Sequence, residues 1–400
     1  MVHLVRHVYH HRFSLKELKN NQLQELYLAM MLKTLGLSLI GVFIPIYLYE
    51  LGYAIDTIVL FFAFVFGIRI LTDNVAAWLT GYYGPKHMMI LSHIFLVLNL
   101  ALLLTLDSQN WPLLLIGVTH ALASGFFFIA YHIEFSKLSS AKHAGSQIGT
   151  MYKVAKFASA VGPLLGGVIA TVFNVPVAII IALALIMASA LPLSLSPEPV
   201  RRKQHITWKG FPWKEAKWDL ISNAGLGFDQ MTYVVVWPLY ISLFFFADNV
   251  YLGVGLVTSL GLAVAVITAS LFGRVIDNGH GGMLMKCGVV LASISNFLRP
   301  VIPSATTVVI FNLVNDSLNS SVRMPYTKGM YQAASSHEGY RDAYVGAIMT
   351  SSNIMRAGIF LTLFALLQFH STKASFQISF LIAGLLLQLV LLHRYKSLKS

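Results

Sequence analysis

Cysteine is almost absent from this 400-residue sequence, in which Cys287 is the single example. One cysteine cannot form an intramolecular disulfide or a cysteine-rich metal site. Charged residues are scarce too, at 11%, whereas soluble domains carry about a quarter. The hydrophobic fraction is 56% and the mean hydropathy is +0.71. This composition excludes an ordinary soluble domain.

The sequence also lacks the short motifs of common enzyme classes. It contains no H-E-x-x-H zinc motif, no G-x-S-x-G nucleophile motif and no phosphate-binding P-loop. We therefore expect neither enzymatic activity nor ATP hydrolysis, and no cofactor.

The N-terminal segment lacks the apolar core of a cleavable signal. It contains four histidines whose spacing could place imidazoles on one helical face: His3, His7, His10 and His11. No carboxylate or cysteine completes a metal site, so we interpret the segment as a basic tail near anionic lipid. Ser14 and Glu17 form a capping box, which predicts a surface helix ahead of the first span.

What the sequence does have is a succession of apolar runs of about 20 residues, the length that crosses a hydrocarbon core. The runs are continuously apolar rather than alternating, which indicates helices and not the strands of a barrel. The expected fold class is therefore an all-α integral membrane protein with twelve transmembrane helices. Their approximate bounds are 26–49, 57–80, 87–106, 111–134, 148–173, 176–195, 219–246, 250–273, 284–300, 304–326, 343–369 and 374–392.

The net charge of +12 is distributed unevenly between the loops. Loops on one side of the predicted membrane hold Lys373 alone, with Arg299 at a span end. Because basic loops stay in the cytoplasm, we expect both termini there and the protein in the plasma (inner) membrane. Topology accounts for the charge without a nucleic-acid partner. Besides those of the segment 197–218, the basic residues placed inside are Arg6, Arg12, Lys16, Lys19, Lys86, Lys137, Lys142, Arg274, Lys286, Lys328, Arg341, Arg394, Lys396 and Lys399.

The segment 197–218, PEPVRRKQHITWKGFPWKEAKW, interrupts the apolar sequence near its middle. It carries six Lys and Arg residues with three Trp, and we interpret it as a cytoplasmic linker. The expected domains are a tail with a surface helix (1–25), an N-terminal six-helix bundle (26–196), this linker, a C-terminal six-helix bundle (219–393) and a cytoplasmic tail (394–400).

Similar short sequences recur in the two halves of the chain at a common offset of 192 to 197 residues. The matching pairs are Pro45 with Pro238, Gly81 with Gly273, and Gly149 with Gly346. Each pair also occupies the same place in the predicted topology, which indicates an internal duplication. Two parallel repeats of six spans, with the binding site between them, are a recurrent plan among transporters.

The loop after span 8 contains Gly273-x3-Asp277, the start of a Gly-x3-Asp signature. The loop after span 2 keeps Gly81 and Gly84 but has no Asp. With six plus six spans and a basic linker, the chain resembles the major facilitator superfamily over essentially its full length. The resemblance implies two pseudo-symmetric bundles that rock about a central site, with these loop residues acting in the conformational change.

Span 5 contains Gly162-Pro163-Leu-Leu-Gly166-Gly167, which is similar to a motif frequent in the antiporters and drug exporters of that superfamily. The resemblance implies proton-coupled antiport, with a gating role for these glycines and the proline. Proline removes a backbone donor and glycines let a neighbouring helix approach, so a packing kink would also explain the motif.

Span 10 carries a polar stripe at helical spacing: Asn312, Asn315, Asp316, Asn319 and Arg323. The spacing predicts that all five lie on one helical face. Such a stripe on a spanning helix indicates a wet cavity, and hydrogen bonds that join helices are the alternative. We predict that the stripe binds substrate together with Lys156, Tyr233, Trp237, Asn353 and Arg356.

Spans 3, 6, 9 and 12 are almost free of internal charge, as expected for peripheral helices that face lipid. In span 2, Arg69 and Asp73 are one turn apart and can form a pair that takes part in gating. Within the spans, six cations (Lys33, Arg69, Lys153, Lys156, Arg323, Arg356) outnumber four anions (Asp73, Glu134, Asp229, Asp316). This excess favours a substrate with an anionic group, unless most of the charges pair with one another.

Proton coupling needs a buried carboxylate that gains and loses a proton near a cation that moves. Asp229 and Asp316 are the candidates. We therefore predict a monomeric secondary active transporter that moves a small organic solute by proton-coupled export, with membrane lipids as its surroundings. Proton-coupled import of an anionic metabolite and lipid or lysolipid flipping are alternatives. A membrane sensor without transport and a membrane enzyme have less support.

Overall fold

The structure is a computed structural model that describes residues 15–138, 144–195, 210–336 and 340–398, and within these it leaves out the side chains of 15–21, 136–138, 144–149, 152, 342 and 397. The N-terminal histidines, the capping box, Lys137, Lys142 and residues 197–209 of the predicted linker therefore lie outside the description.

Twelve long helices make up the described part of the chain. The first six are α1 (Leu15–Ile40, continued by Ile44–Glu50), α2 (Ile55–Tyr83), α3 (Pro85–Leu104), α4 (Leu113–Leu138), α5 (Ala144–Val172) and α6 (Val175–Ser194). The second six are α7 (Trp213–Met231, continued through a π-turn by Trp237–Phe244), α8 (Val250–Val275), α9 (Gly281–Leu298), α10 (Ala305–Ser336), α11 (Arg341–Phe369) and α12 (Thr372–Leu387).

Length and apolar composition mark nine stretches of the described residues as able to cross a membrane. One of them, Ala247–Val301, is 55 residues long and contains both α8 and α9. The helices outside these nine stretches are α7 and α10, which carry Asp229 and the polar stripe. The two least apolar helices are therefore those that the sequence predicts to line the site.

Packing follows the same pattern in both halves. In the first half α1 contacts α5 and α6, α2 contacts α4, and α3 contacts α4 and α6. In the second half α7 contacts α11 and α12, α8 contacts α10, and α9 contacts α10 and α12. Each half is thus a six-helix bundle with equivalent neighbours, and the bundles meet where α2 packs on α11 and α5 packs on α8.

The first helix of each bundle is interrupted at an equivalent point. A turn at 41–43 separates the two parts of α1, and Pro45 lies in the first turn of the second part. In α7 the π-turn Thr232–Val236 precedes Pro238, again in a first helical turn. Proline cannot donate the backbone hydrogen bond that a regular helix requires, so both interruptions follow from the paired prolines.

The bundles touch at both ends of their interface. We call the end with the α2–α3, α4–α5, α8–α9 and α10–α11 connections the linker end, because the predicted linker joins α6 to α7 there. At this end the Nδ1 atom of His132 in α4 lies 2.5 Å from the hydroxyl of Tyr331 in α10. At the opposite end the Tyr251 hydroxyl of α8 donates to the carboxylate of Glu50, the last residue of α1. Contacts between the two bundles are therefore present at both ends of the described interface.

Candidate functional site

Charged groups from the two bundles meet in the middle of the interface. Arg69 of α2 forms the expected ion pair with Asp73, with Nη2 and Oδ2 3.3 Å apart. Asn353 of α11 donates its side-chain amide to the same Oδ2 atom at 2.6 Å. The Asp73 side chain is fully buried, so this pair belongs to the contact between bundles as well as to α2.

Arg356 extends this network into the second bundle. Its Nη1 group donates to Asn353 Oδ1 at 3.0 Å, and its Nη2 group donates to Gln230 Oε1 at 2.7 Å. The guanidinium also lies 5.8 Å from the ring centre of Phe66 in α2. Arg356 therefore connects α11 to α7 and to the opposite bundle.

Within the second bundle, Arg323 of α10 faces Asp229 of α7. The Arg323 Nη2 atom is 3.7 Å from Asp229 Oδ2, and its Nε group donates to Asn319 Oδ1 at 3.3 Å. The other carboxylate oxygen of Asp229 accepts a hydrogen bond of 2.9 Å from Asn296 of α9. Each oxygen of this carboxylate thus has a partner on a different helix.

Asp316 also lies on α10, and its environment differs from that of Asp229. Its Oδ1 atom accepts a hydrogen bond from the hydroxyl of Tyr233 in α7, and its Oδ2 atom makes none within the described residues. Lys156 of α5 interacts with it electrostatically across the interface. A side chain at Gly261 of α8 would collide with the carboxylate, so this glycine makes the room that Asp316 occupies.

The remaining members of the polar stripe point into their own bundle. Asn312 accepts a hydrogen bond of 2.8 Å from the indole of Trp237, and Asn315 accepts one of 2.9 Å from Ser295 of α9. The Trp237 side chain is almost fully buried. These contacts are the helix-joining hydrogen bonds that the sequence left as the alternative, and they hold α10 against α7 and α9.

Basic side chains form a continuous series across the interface. Lys156 interacts electrostatically with Arg323, Arg323 with Arg356, and Arg356 with Arg69. Neighbouring like charges repel one another, and this repulsion is strongest away from water. The three carboxylates Asp73, Asp229 and Asp316 compensate the series in part.

Lys33 of α1 is a further buried cation, inside the first bundle. Its ammonium lies 3.8 Å from the ring centre of Phe127 and makes no hydrogen bond within the described residues. The face of an aromatic ring attracts a cation and so stabilises this position. Lys153, by contrast, is exposed, in agreement with a side chain that reaches toward the surface.

The predicted gating residues occupy the loops and the α5 contacts. Gly84 has a φ of +96° where α2 meets α3, a conformation that other residues rarely adopt, and Gly81 is buried just before it. Between α8 and α9, Asp277 Oδ1 lies 3.9 Å from Lys328 Nζ of α10. Gly273 faces open space, so close packing does not require a glycine there.

In the α5 motif the glycines lie where other helices come close. A side chain at Gly162 or Gly166 would collide with the Ser38 or Leu39 region of α1, and one at Gly167 would meet the backbone of Tyr251 in α8. Pro163 lies inside the helix and its carbonyl faces Gly255 of α8. The motif therefore sits where α5 contacts a helix of each bundle.

Comparison with known proteins agrees with this architecture. Residues 26–358 match the sequence profile of the Major Facilitator Superfamily. The chain belongs to the Major Facilitator Superfamily. It is a membrane transporter of this type and not an enzyme. No curated protein matches the sequence.

Two solved structures similar to this superfamily member are themselves transporters. The human organic anion transporter MFSD10 (TETRAN) has a TM-score of 0.67 and 13% identity, with 92% of this chain and 99% of that chain covered. A bacterial homologue of the iron transporter ferroportin, in an outward-facing state with soaked iron, has a TM-score of 0.65 and 13% identity, with coverage of 91% and 98%. At this identity the likeness concerns the fold.

Two buried polar side chains of α9 in this superfamily member did not follow from the sequence. Arg299 lies at the end of α9, as the sequence predicts, but its side chain is fully buried. Asn296, one turn earlier on α9, is buried as well and bonds Asp229. The one available signal was their spacing of three residues, which places both on one face of the helix.

Proposed function

We propose that this chain is a secondary active transporter that moves a small organic anion together with a proton by alternating access. The two bundles would rock about their interface, so that the central site opens to each side in turn. The observation that carries the proposal is the series of basic side chains Lys156, Arg323, Arg356 and Arg69, which interact across the interface.

An anion relieves the repulsion within such a series. Guanidinium groups bind carboxylates through paired, charge-assisted hydrogen bonds, and buried ionisable groups in membrane spans mark substrate paths. Lys156 belongs to the first bundle and Arg323 to the second. An anion held between them would contact both bundles, which is what alternating access requires of a substrate.

The Arg323–Asp229 pair links the anion to a proton. An anion that binds Arg323 competes with the Asp229 carboxylate, whose Oδ2 lies 3.7 Å from the guanidinium. A buried carboxylate with less counter-charge favours its protonated form. Anion and proton should therefore bind cooperatively, and the coupling is reciprocal. Under an inward proton gradient this linkage drives uptake, the import predicted as an alternative from the sequence.

Export in exchange for protons is the second candidate, because the α5 motif is similar to one of antiporters. Its glycines also permit close contact with α1 and α8, which accounts for them without antiport. The sign of proton exchange separates the two candidates. Substrate binding takes up a proton in co-transport, and it releases a proton in antiport.

A ligand-stabilisation screen tests the proposal. The purified protein would be heated with carboxylates and sulfonates, with their neutral amides, and with amines of matched size. A ligand that binds the folded state raises the melting temperature, by about 2.7 kcal/mol of stability at a concentration 100 times its dissociation constant. We expect stabilisation by anions and not by the neutral or cationic analogues.

The same screen uses variants to locate the site. Arg323→Gln should abolish the anion effect, whereas Arg274→Gln, an exposed residue at the end of α8, should retain it. Stabilisation by amines in preference to carboxylates would contradict the proposal.

A further inference from the structure

The chain that follows α12 turns back onto the linker end of the second bundle. Tyr395 and Leu398 are each 2% exposed, although they lie beyond the last long helix. Leu398 lies at the start of α9, where a side chain added at Gly281 would meet it at 3.4 Å. The segment 394–398 is therefore packed into the second bundle.

A buried carboxylate on α7 anchors this segment. Asp219 Oδ1 accepts a hydrogen bond of 2.9 Å from the backbone N–H of Arg394, and Oδ2 accepts one of 3.0 Å from the Tyr344 hydroxyl of α11. The backbone carbonyl of Asp219 also accepts a hydrogen bond of 3.2 Å from the Tyr326 hydroxyl of α10. Hydrogen bonds to a carboxylate are stronger than those between neutral groups, so this residue ties the segment firmly to the helices around it.

The Tyr395 ring lies against the linker-end part of α10. Its centre is 5.2 Å from that of the Tyr326 ring, in an edge-on arrangement. A side chain added at Gly329 would collide with the Tyr395 ring, so this ring rests on the backbone of α10. Pro325 lies inside α10 just before this contact and cannot donate the backbone hydrogen bond of a regular helix. The part of α10 beyond Pro325 therefore depends more on its neighbours for its position.

The other side of the same part of α10 meets the first bundle. Tyr331 lies two residues after Gly329, about 200° further around the helix. Its hydroxyl lies 2.5 Å from Nδ1 of His132 in α4, and its ring centre lies 5.3 Å from that of Phe135. This part of α10 thus lies between α4 on one side and the Tyr395 ring on the other.

We propose that the segment 394–398 is a strap that positions the linker-end part of α10 and so favours contact between the bundles at that end. Asp219 and Tyr395 are its positioning residues, because the first holds the strap on α7 and the second supports α10 opposite Tyr331. Without the Tyr395 ring, α10 can bend at Pro325 into the vacated space and withdraw from α4. The inference rests on alternating access, which is part of the proposed function, and not on the identity of the substrate.

Distances between spin labels test the strap, in protein whose exposed Cys287 has been replaced. Labels at Tyr83→Cys of α2 and Ser335→Cys of α10 report on the linker end, because both residues are exposed there. In Tyr395→Ala we expect the population with the longer distance to rise about fivefold, since the aromatic contact that supports α10 is lost. Tyr395→Phe keeps the ring and should retain the wild-type distances.

Phe376→Ala is the matched control. Phe376 is a fully buried aromatic residue of α12 near the opposite end, where its ring centre lies 5.7 Å from that of Tyr240 in the same bundle. Its loss should lower the melting temperature about as much as Tyr395→Ala does, because both remove a buried ring. It should leave the linker-end distance unchanged, which separates positioning of α10 from general stability.

A second variant loosens the strap at its anchor. Asp219→Asn keeps the volume of the side chain and removes the charge that strengthens its hydrogen bonds to Arg394 and Tyr344. It should lengthen the linker-end distance in the same direction, and it decides the question if Tyr395→Ala does not fold.

An unchanged linker-end distance in the folded variant, or equal opening in Phe376→Ala, would overturn the proposal. The second result would show that any loss of core packing loosens the interface. All distances are measured without an added anion. The absence of anion binding in the ligand screen would therefore contradict the substrate of the proposed function and leave the test of the strap unaffected.

Discussion

At the scale of single residues, the carboxylates of the interface differ in what holds them. Asp73 has Arg69 on its own helix and Asn353 across the interface. Asp229 has Arg323, whereas Asp316 has the Tyr233 hydroxyl on one oxygen and no hydrogen bond on the other within the described residues. The carboxylate with the fewest fixed partners is the one whose protonation disturbs the surrounding structure least.

This difference leads to a prediction for Asp316. Asp316→Asn keeps the shape and an acceptor for Tyr233, so the protein should fold. The charge that interacts with Lys156 is lost, and the response of substrate uptake to a pH gradient should fall roughly tenfold. Flux of a stabilising anion into proteoliposomes measures this.

Asp56→Asn is the matched control, because Asp56 is an acidic residue in the exposed first turn of α2. It should transport as the wild type does. Undiminished uptake driven by a pH gradient in Asp316→Asn would disprove its role in coupling.

The sequence indicated which polar residues lie inside the spans better than it indicated which residues they contact. Helical spacing correctly places Asp73 one turn from Arg69, because that pair is local. It puts the five polar residues of α10 on one face, yet Asn315 bonds Ser295 of α9 while Arg323 faces Asp229 of α7. Neighbours brought together by tertiary packing decide such contacts, and the period of one helix carries no information about them.

At the scale of helices, glycines set how closely the elements approach. Gly166→Ala would place a methyl group against the backbone of Leu39 in α1. Backbone cannot move aside as a flexible side chain can, so we expect a loss of about 1–3 kcal/mol in the free energy of unfolding. Thermal unfolding in detergent measures the change.

Gly67→Ala in α2 is the control for that substitution, because nothing lies within 4 Å of the added methyl group. It should leave stability unchanged or raise it by up to about 1 kcal/mol, since alanine is the better helix former. Equal stability of the two variants would show that the α1–α5 contact is looser than described.

The hydrogen bonds at the two ends of the interface suggest how the equilibrium between conformations can be shifted. Tyr251→Phe removes the hydrogen bond to Glu50 at the opposite end, and Tyr331→Phe removes the one to His132 at the linker end. A hydrogen bond contributes about 1 kcal/mol, which corresponds to about a fivefold change in population. The first variant should open the opposite end and the second the linker end.

Distances between spin labels at each end would detect both shifts, after replacement of the exposed Cys287. Tyr49→Phe, at an exposed tyrosine near Glu50, should have no effect. If both Tyr251→Phe and Tyr331→Phe opened the same end, these hydrogen bonds would not be gates.

Helix positions followed from the sequence because apolar length is a local property. The spans predicted from apolar runs all correspond to helices of the structure, and the shared prolines Pro45 and Pro238 lie at equivalent interruptions of α1 and α7. The burial of Arg299 could not be predicted, because the sequence does not distinguish a basic residue at a span end that reaches water from one that packs against buried aromatic rings. Arg299 is of the second kind.

At the scale of the whole molecule, two equivalent bundles meet at an interface that contains basic side chains from both, and they touch at both ends. Alternating access would have to break the contacts at one end of this interface at a time. In the proposed function the central cations bind an anion once the carboxylates release them, and protonation of Asp229 or Asp316 would provide that release.

The exchange of protons on anion binding tests this account most directly. The carboxylate with the largest stabilising effect would be added to purified protein in weakly buffered detergent solution with a pH indicator. We expect uptake of about one proton per bound anion, and little uptake in Asp229→Asn, because in the proposed function anion and proton are reciprocally coupled through Arg323 and Asp229. Release of protons, or binding without any proton exchange, would contradict the co-transport of an organic anion with a proton.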